Sequence, residues 1–316
     1  MYSAGIDLGG TFTKIALVAS AGTILAQSRW PTLARRSPAE AFAEVRIELE
    51  KMARTANVPY PPPGGCGIGA PGTVDYQSGR LGESGPLGWR NVELGAIASA
   101  ALGGEAFVDI DVNAGALADL YFGCAREASE ILYVSWGTGI GAALVVARKL
   151  YHSRGGAMGN FGHMPADPSS TRLCYCGCQG CLEIEAGGKA MAVRACERLA
   201  AEGTSLLGQC RDQITPERIA RAAEEGDPLA KEILDRSAVL MAWALAGVIS
   251  FLNPDMVVFG GGVSHCFPVI QEVFDRELCR RTPSFSLPLT RITLSSFREN
   301  AGVVGAAMLP RDRMSP

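Results

Sequence analysis

One histidine and three cysteines, His163, Cys174, Cys176 and Cys181, crowd into one stretch of the chain. An imidazole and three thiolates suit a tetrahedral zinc ion, and a site filled by four protein ligands is a closed, structural one. Gly177 and Gly180 permit the tight loop that this coordination needs. Cys178 offers a fifth sulfur, so chemistry alone does not single out the four. Two glycine turns form the second chemical feature. Asp7-Leu8-Gly9-Gly10-Thr11 follows an apolar strand, and Gly137-Thr138-Gly139-Ile140-Gly141 repeats the arrangement later in the chain. Glycines let backbone amides approach a phosphate, and a threonine hydroxyl adds a hydrogen bond. One such turn is common between strands, but two in matching context point to a phosphate clamp. Neither is a P-loop, because no Gly-Lys-Ser/Thr follows and each turn leads into a strand.

Asp111 ends the apolar strand Phe107–Ile110, next to a helix start. A carboxylate there is placed to face a cleft and to take a proton from an attacking hydroxyl; its plainer reading is a helix N-cap. Asp109 shares its face of the strand and is a second cleft candidate. Glu183, just after Cys181-Leu182, is either a contact for a ligand hydroxyl or a charge in a helix's first turn. His152 and His265 read as surface or satisfied loop residues.

These residues require a particular set of elements. Ser3–Asp7, Thr13–Ala19 and a run to Ser28 form a β-meander, and Ser37-Pro38-Ala39-Glu40 opens a helix with the features of a capping box. Phe42, Val45, Leu49 and Met52 continue it at helical spacing. Strands follow at Cys66–Gly69 and Ala106–Asp111, with a tight turn at Ala70-Pro71-Gly72 and a helix over Ala114–Cys124. Ile131–Ser135 and Ala142–Ala147 then repeat the opening plan around the second glycine turn. The second half reads as helical, with starts at Thr215-Pro216 and Asp227-Pro228, one buried strand at Met256–Phe259 closing on Gly260-Gly261-Gly262, and a last helix over Gly302–Leu309. Two domains of related design with a cleft between them are expected.

The bulk composition agrees. A chain of 316 residues, 47% hydrophobic and 19% charged, is long enough for two cores. Its net charge of -3 gives no basic face for nucleic acid, and Arg35-Arg36 reads as a solvated loop end. The start MYSAGIDLGG has no secretory character, and the longest apolar run, Ala238–Leu252, is short of the ~20 residues a membrane span needs. Of the ten cysteines, Cys66, Cys124, Cys196, Cys210, Cys266 and Cys279 are scattered and read as small buried apolar residues. A cytoplasmic protein with one metal site and no membrane is expected.

Taken together, GIDLGGT (5–11), GIGAPGTVD (67–75), DVNAGALADLYFG (111–123), WGTGIGAAL (136–144), the GHM…CYCGCQGCLE stretch (162–183) and FLNPDMVVFGGGVS (251–264) resemble the ROK family of sugar kinases and repressors over nearly the whole chain. The resemblance implies an α/β, actin-like ATPase fold of two ribonuclease-H-like domains with a cleft between them. The first would cover residues 1–112, completed by the C-terminal helix 303–316. The second would cover 113–302 and hold the zinc loop 163–181. It implies that Asp111 is the base, that Gly9, Gly10, Thr11, Lys14, Thr138 and Gly139 hold the ATP phosphates, and that Gly261 and Gly262 lie near the adenosine. Asp7 would place Mg²⁺ through water. Gly72, Asp109, Asn160, His163 and Glu183, with Asp111, would line the acceptor site. A homodimer is usual for the family. Its repressors carry a helix-turn-helix domain before the phosphate turn, for which a turn beginning at residue 5 leaves no room, so a kinase is expected.

The acceptor contacts depart from the family pattern. Ile110 stands where an asparagine precedes the base, Asn160 where a glutamate precedes the zinc histidine, and Ser84-Gly85-Pro86-Leu87 lacks an asparagine. Each lost polar partner costs a fully hydroxylated sugar ~1–3 kcal/mol. The expected activity is therefore ATP-dependent phosphorylation of a primary hydroxyl on a modified sugar, such as an amino or deoxy sugar, or on a C7 cyclitol. An ordinary glucokinase and a non-catalytic sugar sensor are the alternatives.

Overall fold

The structure is a computed structural model that describes residues 1–32, 36–153, 158–202 and 205–314. Arg35 lies outside these residues, as does the side chain of Cys210. The first sheet starts with the meander β1 (Tyr2–Leu8), β2 (Phe12–Ala19) and β3 (Ile24–Pro31). Helix α1 (Pro38–Thr55) follows, and its capping box is complete, with Ser37 and Glu40 each accepting from the other's backbone. Strands β4 (Cys66–Ala70), β5 (Val74–Asp75), β6 (Arg80–Ser84) and β7 (Trp89–Val92), helix α2 (Leu94–Leu102), strand β8 (Ala106–Ile110) and helix α3 (Asp111–Phe122) come next. The sheet order is β3-β2-β1-β4-β8, with β4 and β8 parallel to β1, and β5–β7 form a small antiparallel sheet of their own. Ile6, Ile15, Phe42, Leu49, Ile68, Leu81 and Leu94 share one buried core beneath them.

The plan then recurs. Strands β9 (Ile131–Trp136), β10 (Ile140–Val146) and β11 (Lys149–Leu150) lead into helices α4 (Leu182–Ala186), α5 (Gly188–Glu202), α6 (Pro216–Glu224) and α7 (Pro228–Leu252). Strand β12 (Met256–Gly260), helix α8 (Phe267–Arg281), strand β13 (Arg291–Leu294) and helices α9 (Ala301–Ala306) and α10 (Leu309–Met314) complete the chain. The second sheet has the order β11-β10-β9-β12-β13, the same arrangement as the first. The second half is thus less purely helical than its composition suggests. Strand β13 is short and half-exposed, which erased its alternating pattern, and it is held by parallel pairing to β12. Helix α7 is long and apolar enough to span a bilayer by length and composition, but 61% of its most apolar window is buried, as in a core helix.

By packing, the chain divides into two units, Met1–Tyr133 with Ala143–Gly159 and Ser295–Pro316, and Val134–Ala142 with Asn160–Leu294. Residues 113–133 thus pack with the first unit although they follow residue 112. The reason is α3, which lies against α9 and whose buried Asp119 receives hydrogen bonds from Ser295 Oγ and, at 2.9 Å, from the Ser296 backbone. The contact depends on Gly305, where a Cβ would fall 1.6 Å from the Ala114 carbonyl oxygen. Gly305→Ala is expected to destabilise the protein by about 3 kcal/mol or more, measured as a lower midpoint in urea. Of the scattered cysteines, Cys66 and Cys266 are buried, whereas Cys196 and Cys279 are exposed on the outer faces of α5 and α8, contrary to the apolar reading.

Candidate active site and metal centre

Asp7 and Asp111 occupy the first unit, at the end of β1 and in the first turn of α3. The N-cap of α3 is Ile110, so Asp111 is the first helical residue, and its Oδ1 accepts the Val112 N–H at 2.8 Å. Burial pushes the Asp111 carboxyl up to about 7, and the charge of Asp7 pushes in the same direction. Burial also lifts Asp7 to about 6, opposed by Lys14. Two carboxylates raised by desolvation, Asp111 also by the charge of Asp7, are arranged for proton transfer or for a cation. Small residues make room for them. A Cβ at Gly302 would stand 2.7 Å from Asp7 Oδ2, and the backbone of Asp111 passes Gly69 closely.

The first glycine turn joins β1 to β2, and Gly10 and Thr11 are exposed. Gly10 packs on Pro86, and the Gly9 carbonyl accepts Thr32 Oγ1. Gly72 lies in the same unit with a φ of 110°. Lys14 is directed elsewhere. It pairs in register with Asp7, but its Nζ donates to the Glu299 carbonyl, which ties β2 to the chain just before α9.

Asp109 is turned inwards. It is 1% exposed, and its carboxylate accepts the Ile110 N–H, Asn113 Nδ2 at 2.8 Å and Arg313 Nη2 at 2.9 Å, with His152 Nε2 at 2.7 Å. The Tyr76 ring is sandwiched between His152, stacked at 3.8 Å, and the Arg313 guanidinium at 4.1 Å. A carboxylate so fully engaged is a brace for the strand end that carries Asp111, in contrast to the acceptor contact expected for it. His152, expected as a surface or satisfied loop residue, is a satisfied one, and no local pattern could name its partners because they lie far away in the chain.

In the second unit the glycine turn Gly137–Gly141 lies beside the turn after β12, where a Cβ at Gly137 would stand 3.8 Å from the Gly262 amide. The two glycine turns thereby lie side by side at Gly137 and Gly262. Gly261 has a φ of 84° and passes close to the Trp136 backbone. Glu217, in the first turn of α6, reaches the same place and went unnoticed in the sequence. Glu183 in α4 accepts the Ile140 N–H at 2.8 Å.

The metal-type donors form one knot. One atom from each of His163, Cys174, Cys176 and Cys181 lies within 4.8 Å of all the others, and His163 Nδ1 is 3.5 Å from Cys174 Sγ. Cys178 is outside this set and exposed, contributing its carbonyl to the Cys174 N–H at 2.7 Å. One nitrogen and three sulfurs at this spacing fit a tetrahedral zinc ion. His163 sits at the end of a 3₁₀ turn that Asn160 begins.

Two sheets of like strand order, each with a glycine turn between its antiparallel strands, and an aspartate pair at the end of β1 and start of α3 define an actin-like ATPase fold of the sugar-kinase type. The chain belongs to the ROK family, whose model matches residues 3–313. It is 30% identical over 320 residues to the glucokinase of Thermotoga maritima, covering 98% of this chain and 97% of that protein. The xylose repressor of Caldicellulosiruptor bescii is 29% identical over 317 residues, covering 98% of this chain and 78% of the repressor. Among solved structures, the ROK family glucokinase from Streptomyces griseus in complex with glucose and AMPPNP superposes with a TM-score of 0.85 at 27% identity, over 98% of this chain and 99% of that one.

Proposed function

We propose that this protein is an ATP-dependent kinase that phosphorylates a primary hydroxyl of a modified sugar or C7 cyclitol. The observation that carries the reading is Asp111, a carboxylate held at the start of α3 with its proton affinity raised towards neutrality. Such a group takes the proton of the acceptor hydroxyl as its oxygen attacks the γ-phosphorus and the bond to the leaving ADP oxygen breaks. Gly9, Gly10, Thr11, Thr138 and Gly139 would position the phosphates through backbone amides and hydroxyls. Gly261 and Gly262, with Glu217 beside them, would border the adenosine. Asp7 would hold Mg²⁺, which supplies neutralising charge on the phosphates when bound. Lys14 is left out of the phosphate set because Glu299 engages it.

The acceptor is inferred from three positions. Ile110 is buried in the core of the first unit and offers no polar atom to a ligand. Asn160 is shorter than the family's glutamate. At Gly85 a side chain would find open space, so packing does not explain the missing asparagine. Gly72, His163 and Glu183 would remain as acceptor contacts. An ADP-release screen over glucose, mannose, their amino and N-acetyl derivatives and C7 cyclitols tests this reading. Highest kcat/KM on a modified ring is expected. Preference for glucose would make it an ordinary glucokinase, and saturable binding without ADP release from any acceptor would make it a sensor.

The four-donor knot supports a structural zinc. Elemental analysis is expected to find one zinc per chain, retained in Cys178→Ser and lost in Cys181→Ser. Equal loss in both variants would place Cys178 among the ligands.

A further inference from the structure

The short helix α4 begins where the metal ligands end, with Cys181 as its N-cap, and it holds the second glycine turn through Glu183 and Ala186. Glu183 Oε2 accepts the Ile140 N–H at 2.8 Å. The Ala186 carbonyl accepts Trp136 Nε1 at 2.8 Å. Just beyond the helix, the Gly188 and Lys189 amides donate to the carbonyls of Gly137 and Thr138, at 2.8 and 3.1 Å. The segment carrying His163 closes on the same place, since a Cβ at Gly162 would fall 2.2 Å from the Ile140 carbonyl oxygen and 3.1 Å from Glu183 Cβ. Leu182 donates to the Met164 carbonyl at 2.9 Å, which ties α4 back to that segment. Every support of the turn named here comes from the segment that carries His163 or from the chain that runs directly on from Cys181, as far as Lys189.

We propose that Glu183 is a positioning residue for the turn Gly137–Gly141, and that the His163/Cys174/Cys176/Cys181 knot sets that turn through α4. The metal loop then acts on the nucleotide side of the reaction as well as on the acceptor side. Ile140 is almost fully buried. Without Glu183 its N–H loses its acceptor, a loss the turn would relieve by moving. The inference rests on the kinase reading only where it concerns nucleotide.

The test combines hydrogen exchange over residues 136–141 with ADP binding, measured without acceptor, on zinc-loaded and chelator-treated protein. Glu183→Ala is expected to lose exchange protection at Ile140 and to weaken ADP about tenfold. Glu183→Gln keeps a carbonyl acceptor at the same place and is expected to restore both. Removing zinc should have at least the alanine effect in the wild type and a smaller effect in Glu183→Ala, because the Ile140 contact is already lost there. Unchanged exchange and ADP affinity in Glu183→Ala, with only acceptor binding lost, would overturn the proposal. A wild type that shows the exchange response but binds no ADP would uphold the clamp and reject the kinase reading instead.

Discussion

Asp111→Asn is expected to lower turnover by about 10²–10⁴-fold, the usual contribution of a positioned general base, while ADP and acceptor affinities stay within about threefold. A variant with near-normal kcat would remove Asp111 from the chemistry. Wild-type activity should also carry the signature of this carboxyl. With its pKa at about 7 in the free enzyme, kcat/KM should fall about tenfold per pH unit below neutrality. Stability should respond with the opposite sense. The folded protein holds this proton more tightly than the unfolded chain, whose carboxyl has its ordinary value of 3.8. Folding is therefore favoured at low pH and loses this contribution as pH rises from about 4 to about 7. Asp111→Asn carries no charge to bury, and above pH 7 it should be more stable than the wild type by more than about 1 kcal/mol. The gain should vanish near pH 4. Urea denaturation at pH 4.5 and pH 8 measures both ends, and equal stabilities at both would mean the carboxyl is not buried as described.

Asp109→Ala has the second large expected effect. Asp109 is the acceptor for Arg313, Asn113 and the Ile110 amide and the partner of His152. Its removal strands a mostly buried guanidinium whose Nε already lacks a partner. Breaking a buried pair in this way costs about 3–5 kcal/mol. Because β8 carries Asp111 directly after Ile110, kcat should fall along with the melting temperature. Asp109→Asn keeps an acceptor for Ile110 and Asn113 but not the charge, and should fall between the wild type and the alanine variant. A loss below about 1 kcal/mol in Asp109→Ala would show that the cluster is not the brace described.

The most legible features were those whose signal is local. The Ser37/Glu40 capping box, the two glycine turns, the strand ending at Ile110 and the histidine-cysteine knot each declare themselves within a short stretch of chain, and the structure places them there. Asp109 shows the limit of such reading. Alternation put it on the same face as Asp111, but alternation cannot tell a face open to ligand from one closed by a distant helix. Lys14 likewise looked available beside a phosphate turn until the chain returned past Glu299. Short strands such as β5 and β13 carry too few residues for a period to show, and pairing alone makes them strands.

By itself, then, the sequence determined the repeated sheet plan, a stretch of five metal-type donors and Asp111 as the candidate base, because these follow from residue type and near-neighbour spacing. Setting Cys178 apart from the other four took the folded loop. Only the tertiary structure decided which charged groups stay available for chemistry. It sent Arg313 and His152 to Asp109, Glu299 to Lys14 and Glu183 to Ile140. Those pairings span tens to hundreds of residues, and at Asp109 and Ile140 the physical reason is burial, which makes a charge or amide without a partner costly.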